Sequence, residues 1–442
     1  MQDSNQTSGS SGAVGRKTIR QAAATNRGGG ENPSPESLKD LSSLEQLPLI
    51  GATTGGKRPA LLMLSHCVPD PMGTADRARA WQMLRLASQT RDVHLACIKD
   101  EPVHLNQWRQ VNSQTHTIVV EDCPARRQVV GRGLSLVAPN VSDQVRMTSA
   151  LRRQVRLMRK DHRFDAVMCM HPGLWPLAER VRANVRVCDL YQPLSMAHEL
   201  IAQKSNSYTR QLWHQHRAQQ RAEMEQYIAC RADILTINSP LAQHSFVNRH
   251  CHSIVVPDAV DLGYFKLPLN DIQSEAPQLV LHGNWRSRSF WRSKGWFTEE
   301  IWPRIKQAVP NAVLTCSGPA LSPATARRLS SASVVVSSLQ EIAQAVWPTL
   351  QAMAMARPVI TSSSSVSDLN VKHGEHLLMP KLDRDWVDLC VDSLRNTAMR
   401  LQLARGARSF IQEYCPIKTT GMELSYVMAR RISDVPIYAK AA

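Results

Sequence analysis

Short apolar runs alternate with amphipathic stretches from residue 59 onward. Residues 60–64 (ALLML) form the first run, residues 78–88 carry apolar side chains at helical spacing, and residues 93–98 (VHLACI) form the second run. Strand, loop, helix and strand in this order make a βαβ unit. Short buried strands that alternate with helices predict a parallel sheet with helices on both faces.

This alternation occurs in two series, which a polar stretch at residues 270–277 separates. In the first series the pattern predicts further strands at residues 117–120, 166–170, 185–188, 234–237 and 253–256, and helices at about 143–160, 174–183 and 208–230. In the second series it predicts strands at residues 279–281, 312–316, 334–336 and 359–361, and helices at 299–309 and 348–356. The fold class is therefore α/β, with two tandem Rossmann-like domains and a cleft between them.

The domain boundaries follow from changes in composition. Residues 1–57 are rich in Ser, Gly, Asn, Gln and Thr and lack apolar periodicity, which predicts a disordered tail. At 442 residues the chain is long enough for two globular domains. We expect an N-terminal domain at 58–268, a linker at 269–276, a C-terminal domain at 277–419, and a final helix and tail at 420–442.

The net charge of +16 points to anionic partners. Much of the excess lies in cations that run from Arg126 through a predicted loop into a predicted helix ending at Lys160. They form either a solvated basic face or a patch, at residues 146–160, that attaches to an anionic membrane surface. A nucleic-acid partner is unlikely on sequence grounds, because the chain has no zinc-finger, helix-turn-helix or RNA-binding aromatic pattern. We expect a cytoplasmic protein, either free or peripheral at the inner face of the membrane, since no apolar run is long enough to span one.

The ten cysteines are scattered, with no Cys-x-x-Cys pair. Reduced, mostly buried thiols are the expectation, and neither a metal site nor a cofactor is indicated.

Loops that follow strands are the places to look for ligand contacts, because helix N-termini there favour anions. After the first strand come Gly73, Asp76, Arg77 and Arg79, which form either a structural turn and helix cap or a contact with a phosphate or an acceptor. His171 follows the 166–170 strand, where an imidazole could hydrogen-bond a substrate hydroxyl or phosphate. Chance placement of a polar loop residue is the alternative for His171.

The stretch at residues 283–295 is rich in cations and begins with Gly283 and Asn284. Arg286, Arg288, Arg292 and Lys294 lie there beside a predicted helix N-terminus. Such a cluster could hold a diphosphate, because each charge-assisted contact contributes on the order of 1.5 to 3 kcal/mol. Solvated cations between packing tryptophans are the alternative.

Residues 60 to about 430 resemble the retaining glycosyltransferases of the GT-B fold, the large glycogen-synthase-like family, and within it the sugar transferases of bacterial exopolysaccharide clusters. The motifs share their order and approximate spacing with that family; they are DRAR at 76–79, HRFDAV at 162–167, VCD at 187–189, DILTINS at 233–239, VPDAVD at 256–261, Gly283 with WF at 296–297, and AMAMARPV at 352–359.

The resemblance implies a C-terminal domain that binds a nucleotide sugar, an N-terminal domain that binds the acceptor, and sugar transfer with retention and without a metal. The implied donor-binding residues are Gly283, Asn284, Ser317, Gly318 and Gln351, and the implied catalytic residues are His171, Arg288 and Lys294. The implied acceptor-side residues are Gly73, Asp76, Arg77, Arg79 and Asp189.

Several positions depart from the family pattern. Gln351 stands where the family has a Glu that accepts hydrogen bonds from the ribose, and Ala356 stands where it has a Gly. The segment between residues 318 and 351 is shorter than in the family and lacks its Gly-rich donor loop. The leading hypothesis is a glycosyltransferase that uses a nucleotide-diphosphate donor and a polysaccharide or lipid-linked acceptor. The alternatives are a catalytically lapsed relative that acts as a binding or scaffolding subunit, and a polyanion-binding module.

Overall fold

A computed structural model of the protein describes residues 58–99, 103–122, 139–244, 246, 252–265, 277–284, 288–318, 320, 322–337, 346–417 and 422–433. The predicted N-terminal tail, the predicted linker and residues 338–345 lie outside these residues. Within them the first sheet has seven parallel strands in the order β3-β2-β1-β4-β5-β6-β7. Its strands are β1 (Ala60–Ser65), β2 (Asp92–Lys99), β3 (Thr117–Asp122), β4 (Ala166–Cys169), β5 (Val185–Tyr191), β6 (Ile234–Ile237) and β7 (His252–Val255).

The second sheet has four parallel strands in the described residues, in the order β11-β10-β8-β9. Its strands are β8 (Gln278–His282), β9 (Val313–Ser317), β10 (Val334–Ser337) and β11 (Val359–Thr361). The α/β fold and each predicted strand are confirmed, because every predicted run coincides with a strand to within a few residues. The strand order reverses between β1 and β4 in the first sheet and between β8 and β10 in the second, and ligands of such folds bind at those crevices.

Burial on both faces explains why the strands read as continuous apolar runs. In β1, Leu61 and Met63 pack into the core on one face of the sheet, and Leu62 and Leu64 pack into the core on the other. Successive side chains of a strand point to opposite faces, so both faces need apolar residues.

The helices of the first domain are Ala75–Thr90, Leu105–Asn112, Pro139–Asp161, Trp175–Ala178, Leu194–Gln203, Tyr208–Ala229 and Pro240–His244. The helices after β8 are Arg288–Trp296, Trp302–Ala308, Pro323–Ser330, Val346–Ala354, Asp383–Arg395, Thr397–Tyr414 and Met422–Ser433. The predicted helix at 174–183 is too long, because the helix in the structure ends at Ala178. The N–H groups of Asn184 and Val185 then donate to the Asp165 carbonyl, and β5 begins at Val185. None of the helices in the described ranges is both long and apolar enough to cross a membrane.

The cation-rich stretch is helical from Arg288 onward, so the loop predicted over 283–295 is too long. Phe290, Phe297, Ile301 and Ile305 are buried at spacings of seven, four and four residues, which is a helical period that the interleaved cations hide. The helical run includes one π turn at Phe297–Ile301. Pro303 explains that turn, because it lacks the N–H group that an α-helix would require there.

The two sheets are joined by packing as well as by the chain. The last helix, Met422–Ser433, places Leu424 and Met428 in the core of the first domain. Ala78 and Val260 pack in turn into the apolar cluster around the helix Val346–Ala354. The carboxyl ends of both sheets thus border the same interdomain region.

Candidate functional site

Two histidines meet at the crevice of the first sheet. His66 directly follows β1 and His171 follows β4, and their ring centroids are 4.8 Å apart. His171 caps a short 3-10 turn, Pro172–Leu174, by accepting a hydrogen bond at Nδ1 from the Gly173 N–H at 2.9 Å. A neutral His171 therefore carries its proton on Nε2.

Asp76 adds a carboxylate to this pair. Its Oδ2 lies 3.8 Å from Nε2 of His66, and its side chain is exposed. Burial by its neighbours opposes ionisation of Asp76, but His66 and then His171 outweigh that effect and hold the pKa of Asp76 below its ordinary value. The first domain therefore offers two imidazoles and an ionised carboxylate at its ligand-binding edge.

Arg79 and Asp189 lie inside the first domain as an ion pair. The Arg79 guanidinium donates to both carboxylate oxygens of Asp189, at 3.1 and 2.9 Å, and to the Val256 carbonyl at 2.6 Å. The Thr236 hydroxyl donates to Asp189 at 2.6 Å. This pair ties the first-domain helix Ala75–Thr90 to β5, β6 and the end of β7. The predicted acceptor contact would require both side chains to leave it.

Gly73 and Arg77 form a tight turn beneath the same loop. A Cβ at Gly73 would lie 2.8 Å from the Cβ of Arg77, so the turn has no room for a side chain. Arg77 is buried, and its charge acts on Asp70. The turn directs the Gly73 carbonyl at the second domain, where it accepts hydrogen bonds from the Trp347 indole at 2.9 Å and from the Gln351 amide at 3.2 Å.

Gln351 is fully buried between the two domains. Its Nε2 donates to Gly73 of the first domain, and its Oε1 lies 3.0 Å from Nε2 of His282, the last residue of β8. Burial lowers the pKa of His282 to about 4, although its hydrogen bonds to Gln351 and Ser317 oppose the shift. His282 is therefore neutral near pH 7 and donates to Gln351. An ionised Glu at position 351 could not donate to Gly73, so glutamine suits this closed contact.

The other predicted donor-side residues surround this contact. The Gly283 N–H donates to the Ser317 carbonyl at 3.2 Å, and the Phe290 ring occupies the space where a Gly283 Cβ would stand, 2.2 Å from the nearest ring atom. Gly283 is therefore needed for the packing of Phe290. Ser317 is fully buried, and its hydroxyl has no hydrogen-bond partner among the described residues. Gly318 follows Ser317 and is half-buried, and Asn284 is exposed.

Lys294 lies on the β9 side of the same edge. Its ammonium stands 4.7 Å from the centroid of the Trp291 ring, and its charge acts on the thiol of Cys316, the residue before Ser317. Arg288 begins the helix Arg288–Trp296, and its side chain lies outside the described part of the structure.

The structure thus brings the predicted residues together in two groups. Gly73, Gln351, Gly283 and Ser317 form a continuous set through His282, whereas His171 and Asp76 form a second set with His66. His66 and His282 were not predicted as site residues. Their signal in the sequence is simple, because each is a polar residue at the end of an apolar strand. Among the described residues, no group of three or more His, Cys, Asp or Glu side chains could hold a metal ion, and the eight described cysteines are free thiols.

Comparison with known proteins supplies structural likeness at low sequence identity. HepE of Anabaena, in complex with UDP and glucose, is 12% identical with a TM-score of 0.53, over 84% of this chain and 100% of that chain. WaaG, a glycosyltransferase involved in lipopolysaccharide biosynthesis, is 11% identical with a TM-score of 0.55, over 83% of this chain and 99% of that chain. A mutant of TarM from S. aureus, in complex with fondaparinux, alpha-GlcNAc-glycerol and UDP, is 9% identical with a TM-score of 0.52, over 84% and 99%.

These likenesses show the fold, which is the GT-B arrangement of two parallel-sheet domains. No family model and no curated protein matches the chain.

Proposed function

We propose that the protein is a glycosyltransferase that moves a sugar, with retention, from a nucleotide-diphosphate donor to a polysaccharide or lipid-linked glycan, in exopolysaccharide or cell-envelope synthesis. The observation that carries the proposal is a GT-B fold in which the carboxyl ends of the two sheets border one interdomain region. The second sheet contributes His282 and Gln351 there, and the first contributes His66 and His171. Structural neighbours with bound UDP support a nucleotide donor.

On the donor side, Lys294 and Arg288 supply positive charge for the diphosphate. Fixed cations at a developing anion stabilise the transition state, and they do so without a metal. The backbone around Gly283 and Gly318 allows the donor to approach closely, and Gln351 contacts the ribose through its carbonyl oxygen. On the acceptor side, His171, supported by His66 and Asp76, orients the attacking hydroxyl.

This proposal requires the domains to separate before the donor binds. Gln351 is fully buried, and its amide and the Trp347 indole both donate to the Gly73 carbonyl, so a ribose reaches Gln351 only when Gly73 moves away. The carbonyl of Gln351 accepts from His282 of its own domain and would accept the ribose hydroxyl beside that bond. A typical neutral hydrogen bond contributes only about 1 kcal/mol net, so opening these two interdomain bonds is within the range that a bound nucleotide can offset. We call the Gly73, Trp347 and Gln351 contact the interdomain latch.

The latch also favours a second candidate function, that of a catalytically lapsed relative that binds or scaffolds. In that case the Glu-to-Gln difference at position 351 would serve domain closure alone. Donor binding distinguishes the two functions.

Calorimetry with a panel of UDP- and GDP-sugars, combined with an assay for slow donor hydrolysis, tests the proposal. We expect at least one donor to bind and to be hydrolysed, and we expect Lys294→Met to weaken that binding about tenfold or more, because it removes a charge-assisted contact. Arg304→Met is the matched control, since Arg304 is an exposed cation on the helical run that contains Lys294. A flat response to every donor would leave the lapsed relative as the function.

We further propose that the helix Pro139–Asp161 attaches the protein to an anionic membrane surface. Arg152, Arg153, Arg156 and Lys160 are all exposed on it. Each cation near such a surface contributes about 1 kcal/mol. Adsorption to vesicles that contain anionic lipid should fall steeply with salt and with charge reversal at Arg152, Arg153 and Arg156; adsorption that survives the reversal would contradict this attachment.

A further inference from the structure

The strand β9 forms one edge of the second sheet. It pairs with β8, and no other described residue pairs with its outer side. In the first sheet β2 occupies the same place beside the first strand, but β3 covers its outer side. The second sheet differs because a single helix, Pro323–Ser330, leads from β9 to β10. The described part of this sheet therefore ends one strand earlier, at β9.

The other three sheet edges are protected against pairing with a further strand. β3 ends with the carboxylates of Glu121 and Asp122, β7 has only four residues, and Leu378 bonds the outer side of β11. β9 has the sequence VLTCS, without charge, proline or glycine. Val313 is 44% exposed, and residues 314–316 are half-buried. An uncharged, exposed edge strand of this kind is a template for another strand.

The backbone of Leu314 supplies open hydrogen-bonding groups at this edge. The Val313 N–H donates to the Pro277 carbonyl at 2.9 Å, so Val313 bonds towards β8. Successive residues of a strand in a parallel sheet direct their N–H and C=O groups to alternate sides. Leu314 and Cys316 therefore direct these groups outward. Among the described residues, the N–H and C=O of Leu314 and the N–H of Cys316 have no hydrogen-bond partner.

Two exposed cations flank the open groups. The Lys306 ammonium donates to the Ala312 carbonyl, just before β9, at 2.8 Å, and the Arg328 guanidinium donates to the Cys316 carbonyl at 3.1 Å. These carbonyls lie about 13 Å apart along the strand. Burial raises the pKa of the Cys316 thiol, against the charges of Lys294 and Arg328. The edge is thus an uncharged strand with positive charge at both ends.

The charges favour an acidic peptide over a second copy of the chain as the occupant. Two copies of β9 paired antiparallel about Leu314 would place Ala312 opposite Cys316, which brings Lys306 of one copy close to Arg328 of the other. Like charges opposite each other destabilise such a pair, and the net charge of +16 adds repulsion between copies. Carboxylates on an extended peptide would instead form charge-assisted contacts with both cations.

We propose that β9 is a docking edge for an acidic, extended segment of a partner protein, which adds a strand beside β9. Main-chain hydrogen bonds to Leu314 and Cys316 provide affinity, and carboxylates that reach Lys306 and Arg328 select the sequence. The partner segment carries Asp or Glu about four residues apart, with β-branched or aromatic residues between them. This docking does not depend on sugar transfer.

Panning of a displayed library of random ten-residue peptides on the full chain tests the proposal. Peptides of the stated pattern should be enriched. One of them is then synthesised with its backbone nitrogens methylated in two alternate sets, and binding is measured by fluorescence anisotropy. One set faces β9 and should lose about tenfold or more in affinity, whereas the other should stay within about threefold, because only the first removes hydrogen bonds to the edge.

Variants of the edge test the same peptide from the protein side. Leu314→Pro should weaken binding about tenfold or more, because it removes the outward N–H but no hydrogen bond to β8. Leu314→Val keeps that N–H and should bind within about threefold of the wild type, and the melting temperatures of both variants check the fold. Lys306→Glu combined with Arg328→Glu should also weaken binding about tenfold or more. Arg304→Glu, on the same helix as Lys306, is the control for charge.

The proposal is overturned if no peptide is enriched, if the enriched peptides are not acidic, or if both methylated sets bind equally well. Equal binding by Leu314→Pro and Leu314→Val would place the peptide elsewhere on the basic surface and would also overturn it. Sedimentation that shows a dimer of the wild type, dissociated by Leu314→Pro, would assign the edge to a second copy and contradict the peptide partner.

Discussion

The carboxyl ends of the two sheets are both held by buried polar side chains, but the chemistry differs. In the first domain a charged pair, Arg79 and Asp189, joins one helix to three strands. At the second sheet, His282 and Gln351 are neutral; His282 donates to Gln351, and Gln351 reaches across to Gly73 of the other domain. Separating a buried ion pair leaves uncompensated charge, whereas neutral hydrogen bonds exchange readily with a ligand or water. The first edge is thus a fixed scaffold and the second is a contact that can open.

The largest effect should come from breaking the charged pair. Asp189→Asn removes the carboxylate that binds the buried Arg79 guanidinium and leaves only the charge of Asp258 to act on it, which should lower the free energy of unfolding by about 3 kcal/mol. Urea denaturation measures this loss. Asp122→Asn is the control, because Asp122 pairs with Lys99 on the surface and should change stability by less than about 1 kcal/mol. Equal losses in the two variants would contradict the scaffold role.

The next effect is the pH dependence that His282 contributes. Its pKa is about 4 in the folded protein against 6.5 in the unfolded chain, so the unfolded chain binds more protons between these values. Stability contributed by neutral His282 is therefore present above pH 6.5 and is lost as the pH falls towards 4, by about 3 kcal/mol at most.

His282→Asn should remove this contribution while keeping a donor for Gln351. Unfolding of both proteins by urea at pH 4.5 and pH 7 measures the difference, and other histidines cancel because both proteins share them. If the free energy of unfolding changes equally with pH in both proteins, His282 is not buried in its neutral form.

A smaller effect is expected from restoring a carboxylate at the latch. Gln351→Glu places it beside the Gly73 carbonyl, which should destabilise the closed protein by about 2 kcal/mol at pH 8. Burial should raise the pKa of the new carboxyl, so the folded protein binds more protons and the penalty shrinks as the pH falls. Gln351→Met is the control, since it loses the hydrogen bonds but should add no pH dependence of its own. A penalty that does not change with pH would argue against a closed latch.

The smallest effect concerns the end of the helix Val346–Ala354, which carries the latch. Ala356 has a φ of 50°, where a Cβ is unfavourable. Ala356→Gly should raise the free energy of unfolding by about 0.5 to 1 kcal/mol. Ala326→Gly, inside the helix Pro323–Ser330, should instead lower it by about 1 kcal/mol. If both variants change the free energy of unfolding in the same direction, the backbone at Ala356 is not strained.

The strands were predictable because burial on both faces leaves an unbroken apolar run in the sequence. The helix Arg288–Trp296 was misjudged because three cations are interleaved with its apolar residues, and cations at a strand end also suit a ligand loop. The family has a Gly at the position of Ala356, and the left-handed φ of Ala356 is a backbone conformation that favours glycine.

The partners of the candidate site could not be predicted. Gln351 meets Gly73 across 278 residues of chain, and Arg79 meets Asp189 across 110. The first contact depends on how the two domains pack and the second on how the first domain folds, and residue spacing encodes neither. For this reason the sequence predicted a ribose contact for Gln351 but not the interdomain bond that buries this side chain.

The most direct test of the account follows the indole N–H of Trp347, which donates to Gly73 across the domain boundary. Its signal in an ¹⁵N–¹H spectrum can be assigned with Trp347→Phe, and the buried Trp175 of the first domain serves as an internal reference. If the donor binds by opening the latch, saturating UDP-glucose should shift or broaden the Trp347 signal and leave that of Trp175 in place. A Trp347 signal that does not move while calorimetry shows the donor bound would contradict the account.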